Sequence, residues 1–309
     1  MPEFNTFIFH AQPQATIELT LHASDLICSE IGDQLVREID QLFSQDKQLD
    51  SCQVIATDHE VKQWAEQLLP LVKQEVTRQA FYQLPLVWHQ HKPSSSFPQR
   101  LVQSNDHFRH HPLRPPMPQG LAYQRYDYDA ELNVSFRVID LDKDLERFTR
   151  WMNDPRVAHF WEQAWSAEKL AEFIQQRLFD PHIIPLIGEF NGEPFGYVEA
   201  YWVAEDRLSP YYDVQDFDRG IHLLVGEQRF RGPKFFNAWM RAISHYLFID
   251  DVRTNRIVLE PRADNERLFN RILPLGYRKC FEFNFPHKRS ALLMLEREQF
   301  FTEQWSWNS

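Results

Sequence analysis

At 309 residues, with 43 % hydrophobic and 25 % charged side chains, the chain has the composition of a globular protein long enough for about two domains. Its formal net charge of −11 excludes a general nucleic-acid binder, which needs a net basic face. No apolar run approaches the ~20 residues of a membrane span, no secretory pattern opens the sequence, and Cys28, Cys52 and Cys280 form neither a disulfide framework nor a metal pair, so a reducing cytoplasm is expected.

In chain order, FNTFIFH and ATIELTLH read as strands, followed by helical patterns around DQLVREIDQLFSQ and EVKQWAEQLLPLVKQEVTRQAF. Residues 91–120, rich in Pro, Ser and polar side chains, read as a linker or long loop. They divide an N-terminal α/β domain, 1–120, from a second domain, 121–309. His107, His110 and His111 fall in this stretch with no cysteine nearby, so no metal site is expected there.

The second half is punctuated more sharply. SFRVID alternates as a strand, and DLERFTRWM places Leu145, Phe148 and Trp151/Met152 at helical spacing before Asn153-Asp154-Pro155 stops the helix. Ser166 is a candidate N-cap for AEKLAEFIQQRLF. IPLIGEF and EPFGYVEAYW flank Asn191-Gly192, a strong hairpin signal. GIHLLVG is a central strand, KFFNAWMRAISHYLF a helix, RIVLE a strand and NERLFNRIL a helix. YRKCFEFNF and ALLMLER, joined by PHKRS, close the order β-α-α-β-β-β-α-β-α-β-β. This is a mixed sheet with helices on its faces, and the front half is a candidate degenerate copy of the same unit.

Arg229, Arg231 and Lys234 crowd the turn after GIHLLVG, with Gly232 free of a Cβ and Pro233 suited to a first helical position. A strand feeding such a turn offers helix N-terminal N–H groups to an anion; a solvated basic turn remains the plainer reading. His222 interrupts an apolar strand, either as a core histidine or as a general base. Asp264 is either a cap for the helix NERLF or a partner of His222. Trp151, Asn153, Asp154, Arg156 and Trp161 are either a helix end packed by tryptophans or a substrate wall. His287-Lys288-Arg289 reads as a charged hairpin tip.

The turn resembles the [R/Q]-x-x-G-x-[G/A] pyrophosphate turn of the GNAT acyltransferases: Arg229, Gly232 and the helix behind them match, while Lys234 replaces the usual small residue. FRVIDLDKDLERFTRWMNDPRVAHFWEQ, FDRGIHLLVGEQ, VLEPRADNERLF and FPHKRS, spread over roughly residues 120–305, resemble the siderophore-pathway branch of that superfamily, the hydroxylysine acetyltransferases of aerobactin-type biosynthesis. The resemblance implies a GNAT fold and a soluble enzyme. Acetyl-CoA or another acyl-CoA would be its co-substrate, a small N-hydroxylamine its acceptor, and no metal, nucleic acid or membrane would take part. It implies catalytic roles for His222 and Asp264, with Asp264 orienting His222 or the substrate. Leu223, Leu224 and Val225 would hold the pantetheine arm and Arg229–Lys234 the phosphates. Asn265 would touch the cofactor, and the segment 151–161 would lie over the acceptor.

The implied reaction is direct acyl transfer to the hydroxylamine nitrogen, giving a hydroxamate. Two alternatives stand beside it: transfer to a plain amine, as in aminoglycoside- or polyamine-modifying relatives, and a non-catalytic CoA-binding module. The sequence leaves open which amine carries the hydroxyl, the acyl length and whether the protein is a homodimer.

Overall fold

The computed structural model describes residues 3–9, 14–20, 29–56, 58–69, 71–85, 87–89, 100–103 and 110–304. The chain folds as two compact units, one reaching to Val87 and rejoined by the chain from Phe301, the other Trp88–Phe300. The sequence places that boundary at residue 120.

The first unit holds β1 (Glu3–Phe9), β2 (Gln14–Thr20), α1 (Ser29–Gln45), β3 (Ser51–Ala56), α2 (His59–Leu68), β4 (Glu75–Thr77) and α3 (Arg78–Tyr82). Its sheet runs β1-β2-β3-β4, with β2 and β3 parallel across the α1 crossover. Here the expected long helix over 60–81 is corrected. It stops at Leu68, near Pro70, which lacks an N–H to donate, and the chain passes through β4 before α3. SCQVIA, not foreseen as a strand, forms β3.

The second unit opens with the short pair β5 (Leu101–Gln103) and β6 (His110–Pro112) inside the expected linker; residues 90–99 and 104–109, His107 among them, lie outside the described residues. It continues with β7 (Leu121–Asp127), β8 (Leu132–Val138), α4 (Leu141–Met152), α5 (Pro155–Trp161), α6 (Ala167–Phe179), β9 (Ile183–Phe190) and β10 (Glu193–Trp202). Then come β11 (Arg219–Val225), α7 (Pro233–Asp250), β12 (Arg256–Leu259), α8 (Glu266–Ile272), β13 (Arg278–Asn284) and β14 (Arg289–Glu296). The eight strands order as β13-β14-β12-β11-β10-β9-β8-β7. This is the expected element order, with β7 and α5 added.

Local chemistry explains the boundaries. Asp140 caps α4 by accepting from the Asp142 N–H at 3.0 Å, and Ser166 caps α6 by accepting from the Lys169 N–H at 3.4 Å. The α4 helix ends where Asp154 turns extended, and Pro155 then starts α5 at a position that needs no N–H. Asn191 and Gly192 take φ 50° and 79°, as the tight β9–β10 turn requires.

Leu170, Phe173 and Ile174 of α6 pack with Phe148, Trp151 and Met152 of α4 onto Ile187, Tyr197 and Leu224 of the sheet. α7, buried on nearly every side from Phe236 to Asp250, packs against β7 and β8. Two layers of helix therefore fix the sheet between them, and β10 and β11 lie at its centre.

One feature of β11 positions the site. It pairs with β10 along its whole length, from Arg219↔Trp202 to Val225↔Gly196. With the parallel β12 it pairs only at Arg219↔Ile257 and Gly220↔Val258. Beyond those residues the two strands part, leaving Ile221–Val225 without a strand on that side.

The β10–β11 approach is close: a Cβ added at Gly196 would sit 2.2 Å from the Leu224 carbonyl oxygen. Gly196→Ala is expected to push the central strands apart and lower stability by about 1–3 kcal/mol, read from the denaturant midpoint at constant slope. An unchanged midpoint would show that the strands accommodate a methyl group there.

Candidate active site

His222 lies on β11 directly opposite Glu199 of β10. Its Nδ1 is 3.1 Å from Glu199 Oε2 and its Nε2 is 3.0 Å from Glu260 Oε1, at the end of β12. The Tyr201 ring leans on the imidazole, with centroids 4.5 Å apart. Both carboxylates are buried and have further donors. Glu199 accepts from Arg177 Nε at 2.9 Å and the Tyr197 hydroxyl at 3.2 Å. Glu260 accepts from the Tyr201 hydroxyl at 3.2 Å, and its backbone oxygen from Lys288 Nζ at 2.9 Å.

Two ring nitrogens facing two carboxylates require both to carry a proton. Burial alone would lower the His222 pKa, but Glu260 and Glu199 outweigh it and raise it to about 10. Burial likewise opposes ionisation of Glu199 and Glu260. Their bonds to His222, with Arg177 beside one and Lys288 beside the other, hold both below the ordinary glutamate range. His222 is thus an imidazolium locked between two anions, where a neutral base ready to take a proton was expected.

Asp264, expected as its partner, is not brought to it. Its side chain is 72 % exposed and pairs with Arg262 at 3.1 Å. Nor does it cap α8, because Asn265 does so by accepting from the Leu268 N–H at 3.2 Å. Asn265, read as a cofactor contact, has its side-chain oxygen engaged in that cap. The physical reason is spacing: β12 ends at Leu259, so Glu260 is the carboxylate at the strand's end, and Asp264 lies four residues along an exposed turn. Glu199 and Glu260 were both missed. The available signal was a carboxylate at the parity of Tyr197 and Tyr201 in an apolar strand, and another closing RIVLE.

The basic turn follows β11 immediately. Gly232 takes φ 140°, a region side-chain-bearing residues rarely adopt, and caps α7 without a side-chain bond, with Pro233 in the first turn. The first N–H groups of α7 are therefore free of any capping side chain. Arg229 pairs with Glu193 across the surface and stacks over Phe230. Burial and the neighbouring Arg156, Arg267 and Arg271 hold the Arg231 guanidinium below its usual pKa. Among the described residues no carboxylate forms an ion pair with Arg231, Arg267 or Arg271. The last two, from α8, were not singled out in the sequence. Lys234 is exposed. On β11, Leu223 and Val225 are half-buried where β12 has parted, and Leu224 is buried in the helix-side core.

The segment 151–161 divides. Trp151 is core, 2 % exposed, donating from Nε1 to Glu227 at 3.0 Å and packed so closely on Gly226 that a Cβ there would meet its ring at 2.2 Å. Asn153 caps the end of α4, donating to the Thr149 and Trp165 carbonyls at 2.9 Å. Asp154 caps α5 and pairs with Arg156 at 2.8 Å. Trp161 is half-buried against Tyr197. Of the two readings of this segment, Trp151 and Asn153 fit the packed and capped helix end.

After α5, Glu162 bears electrostatically on Arg262 and His287, and His159 on Asp264. The turns after α5, β12 and β13 therefore lie near one another, with Glu260 also acting on His287. Among the described residues no group of three His, Cys, Asp or Glu is arranged to hold a metal, and no helix is long and apolar enough to cross a membrane.

The clamp makes a direct prediction. Because the folded pKa of His222 is raised, its contribution to stability is complete below about pH 6.5 and is lost as pH rises through about 10. Nitrogen NMR should find both ring nitrogens protonated at pH 8, and Glu260→Gln should bring the titration down toward neutrality. A wild-type His222 that titrates near pH 6.5 would sink the clamp.

A family model described as an acetyltransferase (GNAT) domain matches residues 140–285. The chain is 48 % identical over 228 residues to an Escherichia coli protein named N(6)-hydroxylysine O-acetyltransferase, covering 74 % of this chain and 72 % of that protein. It is 39 % identical over 199 residues to the N(5)-hydroxyornithine:cis-anhydromevalonyl coenzyme A-N(5)-transacylase of Beauveria bassiana, covering 62 % of this chain and 43 % of that one. Among solved structures, an uncharacterized protein from Bacillus halodurans superposes with a TM-score of 0.57 at 29 % identity, over 61 % of this chain and 96 % of that one.

Proposed function

The chain belongs to the GNAT acetyltransferase family, and from that premise we propose that it transfers the acyl group of an acyl-CoA, acetyl-CoA first among them, to the nitrogen of an N-hydroxylated amine. The product is a hydroxamate, the iron-chelating arm of a siderophore. The relatives named for hydroxylysine and hydroxyornithine support the acceptor class.

The observation that carries this reading is the parting of β11 from β12 beyond Gly220. It opens a row of backbone groups on one edge of β11, ending at a helix N-terminus framed by Arg231, Arg267 and Arg271, which carry no ion pair among the described residues. Phosphates suit the turn: the exposed end of α7 contributes through its dipole, and Arg231 with Arg267 and Arg271 supplies charge. The backbone of Leu223–Val225 would hold the pantetheine arm and polarise the thioester carbonyl.

A hydroxylamine nitrogen is less basic than an alkyl amine and is largely neutral near pH 7, so no base is needed before attack. As the C–N bond forms, the nitrogen turns acidic and a modest acceptor suffices. Glu260, bonded to His222 and held below the ordinary glutamate range, keeps the clamp charged and the strand in place, and in our reading the nitrogen's proton passes through water to the departing CoA sulfur. Asp264, on the facing turn, contacts the acceptor. The free thiol of CoA leaves as the second product. A cytoplasmic enzyme fits the unpaired Cys52 and Cys280.

The test incubates the enzyme with acetyl-CoA and either an N-hydroxy amine or its parent amine, following thiol release and the colour of the ferric complex. The expected outcome is thiol release together with a ferric-binding hydroxamate. Equal or faster turnover of the plain amine overturns the acceptor class, and a product that binds no ferric ion places the acyl group on oxygen. Arg231→Ala should raise the KM for acyl-CoA about 10-fold, with little change in kcat, as expected when one charge-assisted contact to a phosphate is lost.

A further inference from the structure

Three cations meet at one buried carboxylate: His222, Arg207 and Lys288 all approach Glu260 Oε1. Arg177 is satisfied by Glu199, and Asp206 accepts from the Leu208 N–H at 2.8 Å. Arg207 and Lys288, by contrast, converge on a single carboxylate. Arg207 Nη2 is 3.5 Å from Glu260 Oε1, and Lys288 Nζ is 4.0 Å from the same oxygen. That oxygen is already bonded to His222.

Both cations also lie over the Phe285 ring, 5.4 and 5.5 Å from its centroid. Arg207 uses one of five donors on a long bond, and Lys288 one of three on a backbone carbonyl. Lys288 is half-buried; burial, with Arg207 and Arg262 nearby, holds its ammonium below the ordinary lysine range despite Glu260.

We propose that Arg207 and Lys288, set over Phe285 beside Glu260, form a subsite for one carboxylate of the reacting molecules. This rests on the acyl-transfer reading and deepens it, because it fixes a chemical class. Either the acceptor is an N-hydroxylated amino acid that keeps its carboxyl group, or the donor is the thioester of a dicarboxylic acid. Two adjacent cations with spare donors recognise a planar carboxylate in either case, and a decarboxylated diamine with an acetyl donor leaves Arg207 and Lys288 to share Glu260 alone.

The experiment measures kcat/KM for four pairs: N6-hydroxylysine or N-hydroxycadaverine, each with acetyl-CoA or succinyl-CoA. A preference of about 10- to 100-fold for the carboxylated member along either arm supports the subsite, and the arm identifies the source. In Arg207→Gln and Lys288→Gln that preference should shrink toward unity, through KM for the carboxylated partner. Equal kcat/KM along both arms in the wild-type enzyme overturns the subsite while leaving acyl transfer intact, and needs no variant to fold. A preference undiminished in both folded variants also overturns it. Absence of turnover with all four pairs overturns the acyl-transfer reading itself, and the subsite with it.

Discussion

The interaction on which the site depends is the imidazolium of His222 held between two buried carboxylates. A buried ion pair is costly to desolvate and is retained only when its remaining bonds are met. Here they are met by the sheet: β10 presents Glu199 directly opposite His222, and β12 delivers Glu260 at its end. Arg177 reaches Glu199 from α6, and Tyr201 reaches Glu260 from β10. Removing either carboxylate would leave a buried cation half-bonded. The three central strands and the helix over them are thus tied to one another through a single ring.

That clamp needs the strands to part. If β12 continued beside β11 past Gly220, its ladder would consume the backbone edge of Ile221–Val225. The parting and the clamp are complementary: the strands separate at their backbones and remain joined through Glu260. The ladder's loss on one side is offset by charge on the other, and the opening lies beside the glycine turn that feeds the long buried helix α7.

Most of the fold was legible because its signals are local. Asn191-Gly192, Ser166 and the break at Asn153-Asp154-Pro155 each act through their own backbone, and each appears where the sequence put it. The alternation around His222 marked the right strand. Partnership was not legible. Asp264 and Glu260 are both carboxylates after RIVL, and only the length of β12 decides which one meets the imidazole. Glu199 lay in a strand read only as one arm of a hairpin, since nothing local distinguishes a glutamate that faces a histidine 23 residues away from one that faces water. Trp151 stood between two readings for the same reason: a tryptophan beside polar residues fits a packed helix end or a pocket wall alike, and the close approach of Gly226 shows it filling the core.

The arginines at the turn after β11 carry a consequence for ionic strength. Arg156, Arg267 and Arg271 crowd Arg231, and among the described residues only Arg156 of these four has an ion pair, with Asp154. Added salt screens that repulsion and relaxes the empty turn, yet the same salt weakens the attraction of the turn for a polyanion. The free and loaded forms of the protein therefore respond to salt with opposite sign, and the cell's ionic strength sets how far an occupied turn differs in stability from an empty one.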